Sequence, residues 1–497
     1  MTQLRRYQSI AIDDIKNEFV AKHKRVLLVA PTGSGKTVVA CEMMSRVVYG
    51  GKKCLFVAHR RELVMQCSRK LHEFGIHHGV IMADRSPLPD ADVQVASIQT
   101  FTARKDNEDF VRPHADLIIL DEAHRSASTT FKQLIKMYPF AHIVGLTATP
   151  CRADGKGLGD IYNAMVQCGT VKNLTEQGYL VPAKLFAPTL PDLKGLKTVA
   201  GDYEKKGLEK RMNVPKLVGD IVTHWIKYAD QRPTVVFATS VAHSKYIAKM
   251  FNENGITAGH IDGSMPEVER EAQLSMLKRG QISVLCNCQV LTEGWDEPSV
   301  SCVVLARPTK SYGLYLQMVG RSLRPCDGKD DTLIIDHSGC VYQHGFPHDL
   351  PLWTLDTTKK AQRIQPQKQT PIERQPFTCV NCDYVYELTA KEPECPNCGY
   401  RPEKQDKKLL IKQGRLVEVM HIRETKKEDK KSWFAELLYV SKQNGYLDGW
   451  ASHVYRQKFK VWPAYTKVEP KMPSQEVLNY IKHLQIKRNA SRRMSIK

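Results

Sequence analysis

Ala30-Pro-Thr-Gly-Ser-Gly-Lys-Thr37 is a turn of glycines and small residues set directly after an apolar run, Val26-Leu-Leu-Val29. A turn of this kind, opening a helix, aims successive backbone N–H groups at a phosphate, and the helix dipole adds positive potential there. Thr32, Gly33, Ser34 and Gly35 would form the cradle, Lys36 would reach the β- and γ-phosphates, and Thr37 would offer its hydroxyl to Mg²⁺. Ala30 stands where the strict G-x-x-x-x-G-K-[ST] pattern has its first glycine. A second apolar run, Leu117-Ile-Ile-Leu120, ends in Asp121-Glu-Ala-His124, and an aspartate at a strand end can hold a nucleotide's Mg²⁺. Together the two segments imply hydrolysis of a nucleoside triphosphate.

A different chemistry is written in the cysteines. Ten of the fourteen are scattered and read as core fillers, and four are grouped as Cys379-Val-Asn-Cys382 and Cys395-Pro-Asn-Cys398, with twelve residues between the pairs. Such pairs suit a closed, tetrahedral, structural Zn²⁺ site in which each pair makes a tight turn and Gly399 relieves strain after the second. A redox pair would need one reactive Cys-x-x-Cys beside a βαβ unit, which this segment lacks. So small a segment cannot build a core unaided, so metal binding and folding should be coupled. Its Phe377, Tyr384, Tyr386, Tyr400 and Arg401 leave two options open, stacking on bases or packing on the preceding domain.

These groups need elements to hold them. Short, continuous apolar runs at 26–30, 54–58, 93–97, 117–121 and 143–147 have the form of parallel strands covered on both faces. A second series follows at 234–239, 260–262, 283–287, 301–307 and 332–336. Between the series, residues 182–216 are broken by Pro188, Pro191, Gly195, Gly201 and Gly207 and read as a linker or small insertion. No residue-level repeat is evident. The expected fold is α/β, with two tandem parallel-sheet domains of about 150 residues each, then a zinc ribbon and a small basic C-terminal domain. The expected boundaries are 1–185 for the first domain, 186–212 for a linker or insertion and 213–345 for the second domain. A linker at 346–376, the ribbon at 377–402, a charged linker at 403–431 and a basic accessory domain at 432–497 complete the chain.

The charge is +20, and 29 Lys and Arg against 15 Asp and Glu place +14 of it in residues 359–497. Such a surplus favours a polyanionic partner, nucleic acid by default. No stretch of 18 or more apolar residues is present, and Met1-Thr-Gln-Leu-Arg-Arg6 leads into no apolar signal region, so a soluble cytoplasmic protein without membrane contact is expected. Past residue 431, Trp433, Phe434, Tyr446, Trp450, Tyr455, Phe459, Trp462 and Tyr465 alternate with Lys442, Arg456, Lys458 and Lys460. That pattern suits either a stacking surface for single strands or an ordinary small core.

Further short motifs fall at the carboxyl ends of the expected strands, where open α/β sheets bind ligands. They are Leu4-Arg-Arg-Tyr-Gln8, Ala58-His-Arg-Arg-Glu-Leu63, Ser97-Ile-Gln-Thr100, Thr147-Ala-Thr-Pro150, Val235-Val-Phe-Ala-Thr-Ser240, residues 287–298, and Gln317-Met-Val-Gly-Arg-Ser-Leu-Arg324. In this order, across residues 4–324, they resemble the superfamily 2 helicases and translocases of DEAD/DEAH-box type. Leu4-Arg5-x-Tyr7-Gln8, Val290-Leu-Thr-Glu-Gly-Trp-Asp-Glu-Pro298 and the span from Arg307-Pro-Thr to Leu323-Arg324 resemble most the bacterial and phage RadD-like DNA helicases.

The resemblance implies two RecA-like domains that share one ATP site. Arg5 and Gln8 would meet adenine, whose edge an amide matches by donating and accepting at once. Asp121 would hold Mg²⁺, and Glu122 would position and deprotonate the attacking water. Arg321 and Arg324, three apart on one helix face, would act as arginine fingers, while Gly294 and Asp296 would lie at the ribose. Arg60, Thr100 and Thr292 would touch nucleic-acid backbone without reading sequence, and His124, Thr147, Thr149 and Gln317 would couple it to the cleft. ATP would close the cleft and hydrolysis would open it.

Three functions compete. One is an ATP-dependent DNA helicase acting on single-stranded or branched DNA in recombination, repair or phage replication, in a bacterial or phage-infected cell, alongside single-strand-binding or replication and recombination proteins. Another is a motor subunit of a restriction-type complex, although no P-D…[DE]-x-K nuclease pattern is evident. The last is a nucleic-acid scaffold with a retired nucleotide site, against which the joint presence of Lys36, Asp121, Glu122, Arg321 and Arg324 speaks. An RNA helicase is an alternative to the first, because DNA over RNA rests on the resemblance.

Overall fold

A computed structural model of the chain describes residues 4–108, 110–152, 155–199, 201–229, 231–349, 351–358, 362–363, 376–387, 394–402, 410–412, 415–417, 427–447, 449–459, 462–463, 468–474, 477–478 and 480–481. They fall into two compact units, Met1–Pro402 and Glu403–Lys497.

The first sheet has seven parallel strands, β1 (Arg25–Val29), β2 (Cys54–Ala58), β3 (His78–Ile81), β4 (Val93–Ser97), β5 (Leu117–Asp121), β6 (His142–Thr147) and β7 (Ala164–Gln167). They lie in the order β3-β4-β2-β5-β6-β1-β7, with Val29 level with Thr147 and Gln167, and Asp121 level with Leu146. Successive side chains point to opposite faces, so each buried strand feeds two cores. Val26, Leu28, Cys54 and Phe56 pack beneath α1 (Arg6–Val20), α2 (Lys36–Tyr49) and α3 (Arg61–Glu73). Leu27, Val29, Leu55 and Val57 pack beneath α4 (Ile98–Arg104) and α5 (Thr129–Met137).

After α6 (Val171–Glu176) the chain enters a second parallel sheet through β8 (Ala183–Phe186). A hairpin of β9 (Thr198–Val199) and β10 (Asp202–Tyr203) follows, then α7 (Lys205–Met212) and α8 (Pro215–Tyr228). The remaining strands are β11 (Thr234–Phe237), β12 (Ala258–Asp262), β13 (Val284–Cys288), β14 (Cys302–Leu305) and β15 (Thr332–Asp336), ordered β12-β13-β11-β14-β15-β8. Of its helices, α8 and α9 (Val241–Glu253) cover one face, and α10 (Glu267–Lys278), α11 (Tyr312–Val319) and α12 (Cys340–His344) the other. Ser240 and Ser311 start α9 and α11 by accepting the N–H of His243 and Leu314, which satisfies a donor otherwise orphaned at a helix start. The fold is thus two tandem parallel-sheet α/β domains, as expected. Strands β3, β7 and β8 were not foreseen, and β8 lies where the expected first domain meets the expected linker.

Two of the expected linkers do structural work. The hairpin β9–β10 is tied to the second domain, with Asp202 accepting from Thr309 Oγ1 at 2.9 Å and Lys310 N at 2.8 Å. Beyond α12, Phe346 is buried in the second domain's core while Trp353 and Leu355 pack on the first domain's core. There Gly159 N donates to Leu355 O at 2.7 Å and Gly157 N to Asp356 O at 3.2 Å. A Cβ on Gly157 would stand 2.6 Å from the Leu355 carbonyl carbon, so this strap needs glycine beneath it. The strap continues into β16 (Pro351–Leu352), which pairs with β17 (Gln362–Arg363).

The cysteine-rich segment forms an antiparallel pair, β18 (Pro376–Thr378) and β19 (Val385–Glu387), seated on the exposed edge of β8. Tyr384 pairs antiparallel with Phe186, Ala187 N donates to Asp383 O at 3.0 Å, and Val385 enters the second domain's core. An edge strand is thereby covered rather than left open to foreign pairing. Of the two options left open for these aromatics, Tyr384 takes packing on the domain.

In the second unit, β20 (Leu410–Lys412) pairs with β21 (Arg415–Val417), and α13 (Lys427–Gln443) packs on α14 (Trp450–Phe459). Helix α13 starts inside the expected charged linker. Trp433, Phe434, Leu437, Tyr455 and Val477 form the core, so those aromatics are used for packing. Trp462 is half exposed under the guanidinium of Arg456, 4.5 Å from its ring. Tyr465 lies outside the described residues.

Candidate active site

The turn after β1 is held in a conformation only glycine adopts easily. Gly33 and Gly35 have φ of +87° and +82°, and a Cβ on Gly35 would stand 2.6 Å from Gln8 Nε2. From beneath, the Tyr7 hydroxyl and the Gln8 amide both donate to Ser34 O, at 2.7 and 3.0 Å. Gln8 Oε1 accepts from Arg5 N at 3.0 Å. Gln8 is therefore buried under the turn with one N–H and one lone pair left to offer, whereas Arg5 reaches the wall of the cavity and lies 4.8 Å over the Tyr179 ring.

That cavity, of 280 Å³, lies between the two domains. The first contributes Arg5, Thr32, Gly33, Gly35, Lys36, Thr37, Asp121 and Glu122, and the second Gly294, Asp296, Arg321 and Arg324. The domains approach closely around it. A Cβ on Gly320 would stand 2.5 Å from Thr32 Cβ, and one on Gly313 would stand 3.0 Å from Thr149 Oγ1.

The charges inside are strongly perturbed. Burial, and then the negative charge of Glu122, push Asp121 up to about 7, so a divalent cation here would meet a carboxylate that needs one to stay ionised. Burial would raise Glu122 too, but the contact and charge of His124, 3.3 Å away, win and hold it below its usual range. Burial, then Arg324, lower Arg321 to about 10, which leaves it a cation at neutral pH. Burial lowers Lys36 as well, against the attraction of Glu122 and Asp121. Glu122 itself has φ of +50°, a conformation that costs a non-glycine residue ~1–3 kcal/mol and persists only where its surroundings fix it. Two buried atoms stand out: Arg321 Nε makes no hydrogen bond among the described residues, and Glu122 Oε2 has only the His124 ring nitrogen beside it, at 3.3 Å. An unmet donor on one wall, with a carboxylate that has lone pairs to spare on the other, suits an anionic ligand together with a water, which fits a nucleotide phosphate.

The residues expected to carry signals lie around this cavity. Thr147 Oγ1 accepts from Thr149 N at 3.0 Å and stands 3.4 Å from His124 Nδ1. Thr292 and Gln317 are buried and Thr100 is half-buried, all three outside the cavity lining. Arg60 reaches across the domain boundary, where it donates to Val290 O at 2.9 Å and Gln289 O at 3.4 Å, and keeps part of its side chain exposed. Arg321 donates to Thr292 O at 2.6 Å and Trp295 O at 2.5 Å, and Arg324 pairs with Asp296. Sequence inspection missed Glu293, whose carboxylate lies 2.8 Å from His59, 3.0 Å from Arg125 and 3.3 Å from Arg60. The available signal was complementary charge: one acid between two singled-out residues, facing His59-Arg60 and His124-Arg125 in the other domain.

The second candidate centre is the cysteine cluster. Cys379, Cys382, Cys395 and Cys398 hold their Sγ atoms within 4.8 Å of one another, with Cys379–Cys398 at 3.6 Å and Cys382–Cys395 at 3.7 Å. Four thiolates around Zn²⁺ at ~2.3 Å would stand ~3.8 Å apart, so the donor set is compatible with zinc. Each turn also serves its opposite: Asn381 Nδ2 donates to Cys398 Sγ at 3.6 Å, and Asn397 Nδ2 to Cys382 Sγ at 3.5 Å. The Asn381 hydrogen bond, aided by the backbone at Tyr400, lowers the Cys398 thiol to about 6, close to the thiolate a metal requires. The two turns share the pattern Cys-x-Asn-Cys-x-Tyr, as Cys379-Val-Asn-Cys-Asp-Tyr384 and Cys395-Pro-Asn-Cys-Gly-Tyr400. Gly399 has φ of +70° and its counterpart Asp383 +58°; Asp383 is held there by the Tyr228 hydroxyl and, at 3.4 Å, by Lys227 Nζ.

Comparison with known proteins follows the same division. Residues 1–152 match the family described as Type III restriction enzyme, res subunit, and residues 214–326 match the helicase conserved C-terminal domain. A 51.5 kDa protein of a Lactococcus phage (isolate 7-9) is 30% identical over 395 residues, covering 79% of this chain and 82% of its own. The putative ATP-dependent helicase IRC3 of Saccharomyces cerevisiae is also 30% identical, over 68% of this chain and 51% of its own, so the chain spans about half of that relative. Among solved structures, a fragment of a putative HsdR subunit of a type I restriction enzyme from Vibrio vulnificus YJ016 has a similar fold, with TM-score 0.55 at 23% identity over 69% of this chain and 67% of its own.

Proposed function

Because the chain belongs to the superfamily 2 helicases of the DEAD/DEAH-box type, we propose that it is an ATP hydrolase that translocates along or unwinds DNA, single-stranded or branched, in recombination, repair or phage replication. The narrower likeness to RadD-like DNA helicases supports this choice of substrate, and a bacterial or phage-infected cytoplasm is its proposed setting, with single-strand-binding or replication and recombination proteins as proposed partners. Among the described residues no helix is long and apolar enough to cross a membrane.

The observation that carries the proposal is one interdomain cavity lined by Lys36, Asp121 and Glu122 from the first domain and by Arg321, with its unmet Nε, and Arg324 from the second. When bound, Mg²⁺·ATP supplies a polarised γ-phosphoryl group. Thr32 to Thr37 would hold its phosphates, and Asp121 and Thr37 its cation. Arg5 would hold the base, with Gln8 bracing the turn, and Gly294 and Asp296 would line the ribose. Glu122 takes the proton of the attacking water at Oε2, and Arg321 and Arg324 meet the charge that grows on the phosphoryl oxygens. Arg60, Thr100 and Thr292 would track the nucleic-acid backbone, with His124, Thr147, Thr149 and Gln317 passing its state to the cleft. Zn²⁺ on the four cysteines is proposed as a structural clip that shapes the ribbon.

ATP turnover measured side by side with single-stranded DNA, duplex DNA, forked DNA and RNA tests the proposal. Stimulation by DNA and none by RNA is expected; stimulation by RNA alone would overturn the choice of substrate. A second reading, motor subunit of a restriction-type complex, draws on the match of residues 1–152 to a restriction-enzyme family. It predicts processive motion on duplex DNA and no strand separation.

A further inference from the structure

One carboxylate has its charged partners entirely across the domain boundary. Glu293 belongs to the second domain, in the turn after β13, and its side chain is 5% exposed. Among the described residues its ionic partners all come from the first domain: His59 Nε2 at 2.8 Å, Arg125 Nη2 at 3.0 Å, Arg60 Nε at 3.3 Å and His124 Nε2 at 3.7 Å. Two of them follow β2, two follow β5, and so the carboxylate joins two neighbouring strand ends to the opposite domain.

What stands on either side of Glu293 gives this arrangement a consequence. His124 reaches Glu293 with one ring nitrogen and Glu122 with the other. On the second domain, Arg321 rests on the carbonyls of Thr292 and Trp295, which bracket Glu293 in the same turn. His59 O accepts from Gln99 Nε2 at 2.8 Å, next to Thr100. Closing the domains exchanges the hydration of this anion for four partners at once, so these contacts are made together and lost together.

We propose that Glu293 is a positioning residue that sets the general base, through His124, and the arginine finger, through its own turn, at the moment the domains close. It touches neither substrate nor reacting atoms. The rate effect rests on the ATP-hydrolase reading above; the effect on closure does not.

The test uses the full chain and the variants Glu293→Gln, which keeps the shape and removes the charge, and Glu293→Asp, which keeps the charge. Turnover with saturating single-stranded DNA, KM for ATP and Tm are measured for each. Closure is followed by energy transfer between fluorophores at Tyr49 and Val268, exposed positions on α2 and α10, with a non-hydrolysable ATP analogue. Glu293→Gln should lower kcat by ~10²-fold, as misplacement of reacting groups by about 1 Å does, and reduce the closed fraction, with KM for ATP and Tm little changed. Glu293→Asp should recover part of both losses. Unchanged kcat and closure in Glu293→Gln would overturn the inference. So would a parallel fall in kcat, ATP binding and Tm that Asp fails to relieve, since that describes a merely structural residue. If the unaltered chain turns over no ATP, the functional reading fails, and the closure measurement still decides the role of Glu293.

Discussion

Lys36 and Glu122 have separable duties, and substitutions should separate them. Lys36→Ala should abolish ATP turnover while nucleic-acid binding at low salt persists, because the lysine faces phosphates and not the polynucleotide. Glu122→Gln should retain ATP and stall. Normal turnover in either variant would remove the proposed site. Arg321→Ala should lower kcat by ~10³-fold or more and leave KM for ATP nearly unchanged, since a finger's interaction strengthens as charge develops in the transition state; a raised KM with intact kcat would refute the role. His124 yields a pH prediction. Burial would lower its pKa, but hydrogen bonds to Glu122 and Glu293 prevail and raise it to about 9. The unfolded chain releases this proton near pH 6.5. The stability it contributes is therefore complete below pH 6.5 and is lost as pH rises through about 9. Tm of the nucleotide-free chain should fall across that window, and His124→Gln should flatten the fall. Lys36, Asp121 and Glu122 were legible in sequence because each follows a strand, and Arg321 and Arg324 through the motif that holds them; the single helix face expected for those two is not found, because α11 ends at Val319 and both arginines lie in the turn beyond it. Glu293 was not legible, because its meaning depends on partners 168 to 234 residues away.

At the scale of elements, legibility followed burial. Strands with both faces covered, such as β1, β2 and β5, showed as unbroken apolar runs. Missed strands were β3 and β7, with alternating burial, and β8, which begins with Ala183 and Lys184; all three are edge or near-edge strands with only part of a face to bury. The ribbon's spacing was plain, whereas its seat on β8 was not, because pairing across 198 residues leaves no local pattern. Since Tyr384 and Val385 contribute to the second domain's cores, releasing the metal should be felt there. Cys395→Ser should release zinc and lower Tm of the whole Met1–Pro402 unit, with metal content and calorimetry as the measurements; an unchanged Tm would show that the seat carries no stability. Gly320→Val should act differently, since its Cβ meets Thr32 in the closed cleft. ATP turnover should drop by an order of magnitude or more, with the secondary structure intact by circular dichroism.

Across the whole molecule, charge and chemistry are kept apart. Residues 403–497 carry 22 Lys and Arg against 10 Asp and Glu, more than half of the net +20, on the unit that lacks the ATP cavity. A fragment ending at Pro402 keeps the strap and the ribbon, and should hydrolyse ATP. It should bind DNA more weakly, with a log affinity–log salt slope shallower by ~0.7–0.9 for each phosphate that the fragment no longer neutralises; an unchanged slope would return DNA binding to the first unit alone. The strap has one more consequence. The chain crosses between the two α/β domains near Gly169–Val171 and again between Phe346 and Trp353, before it returns to the second domain at the ribbon, and the first two crossings border one small apolar cavity beside Pro31 and Thr32. Two bodies joined along a line keep a single easy rotation. That line runs beside β7 and β1, whereas Glu293 engages the end of β2, four strands from β7, or about 19 Å at 4.8 Å per strand. With that lever arm, a turn of about 10° carries Glu293 about 3 Å, as far as its ion pairs reach. Residues beside the line barely move for the same turn. The same small rotation at the seam is thus felt most at the far rim, where Glu293 makes its ion pairs.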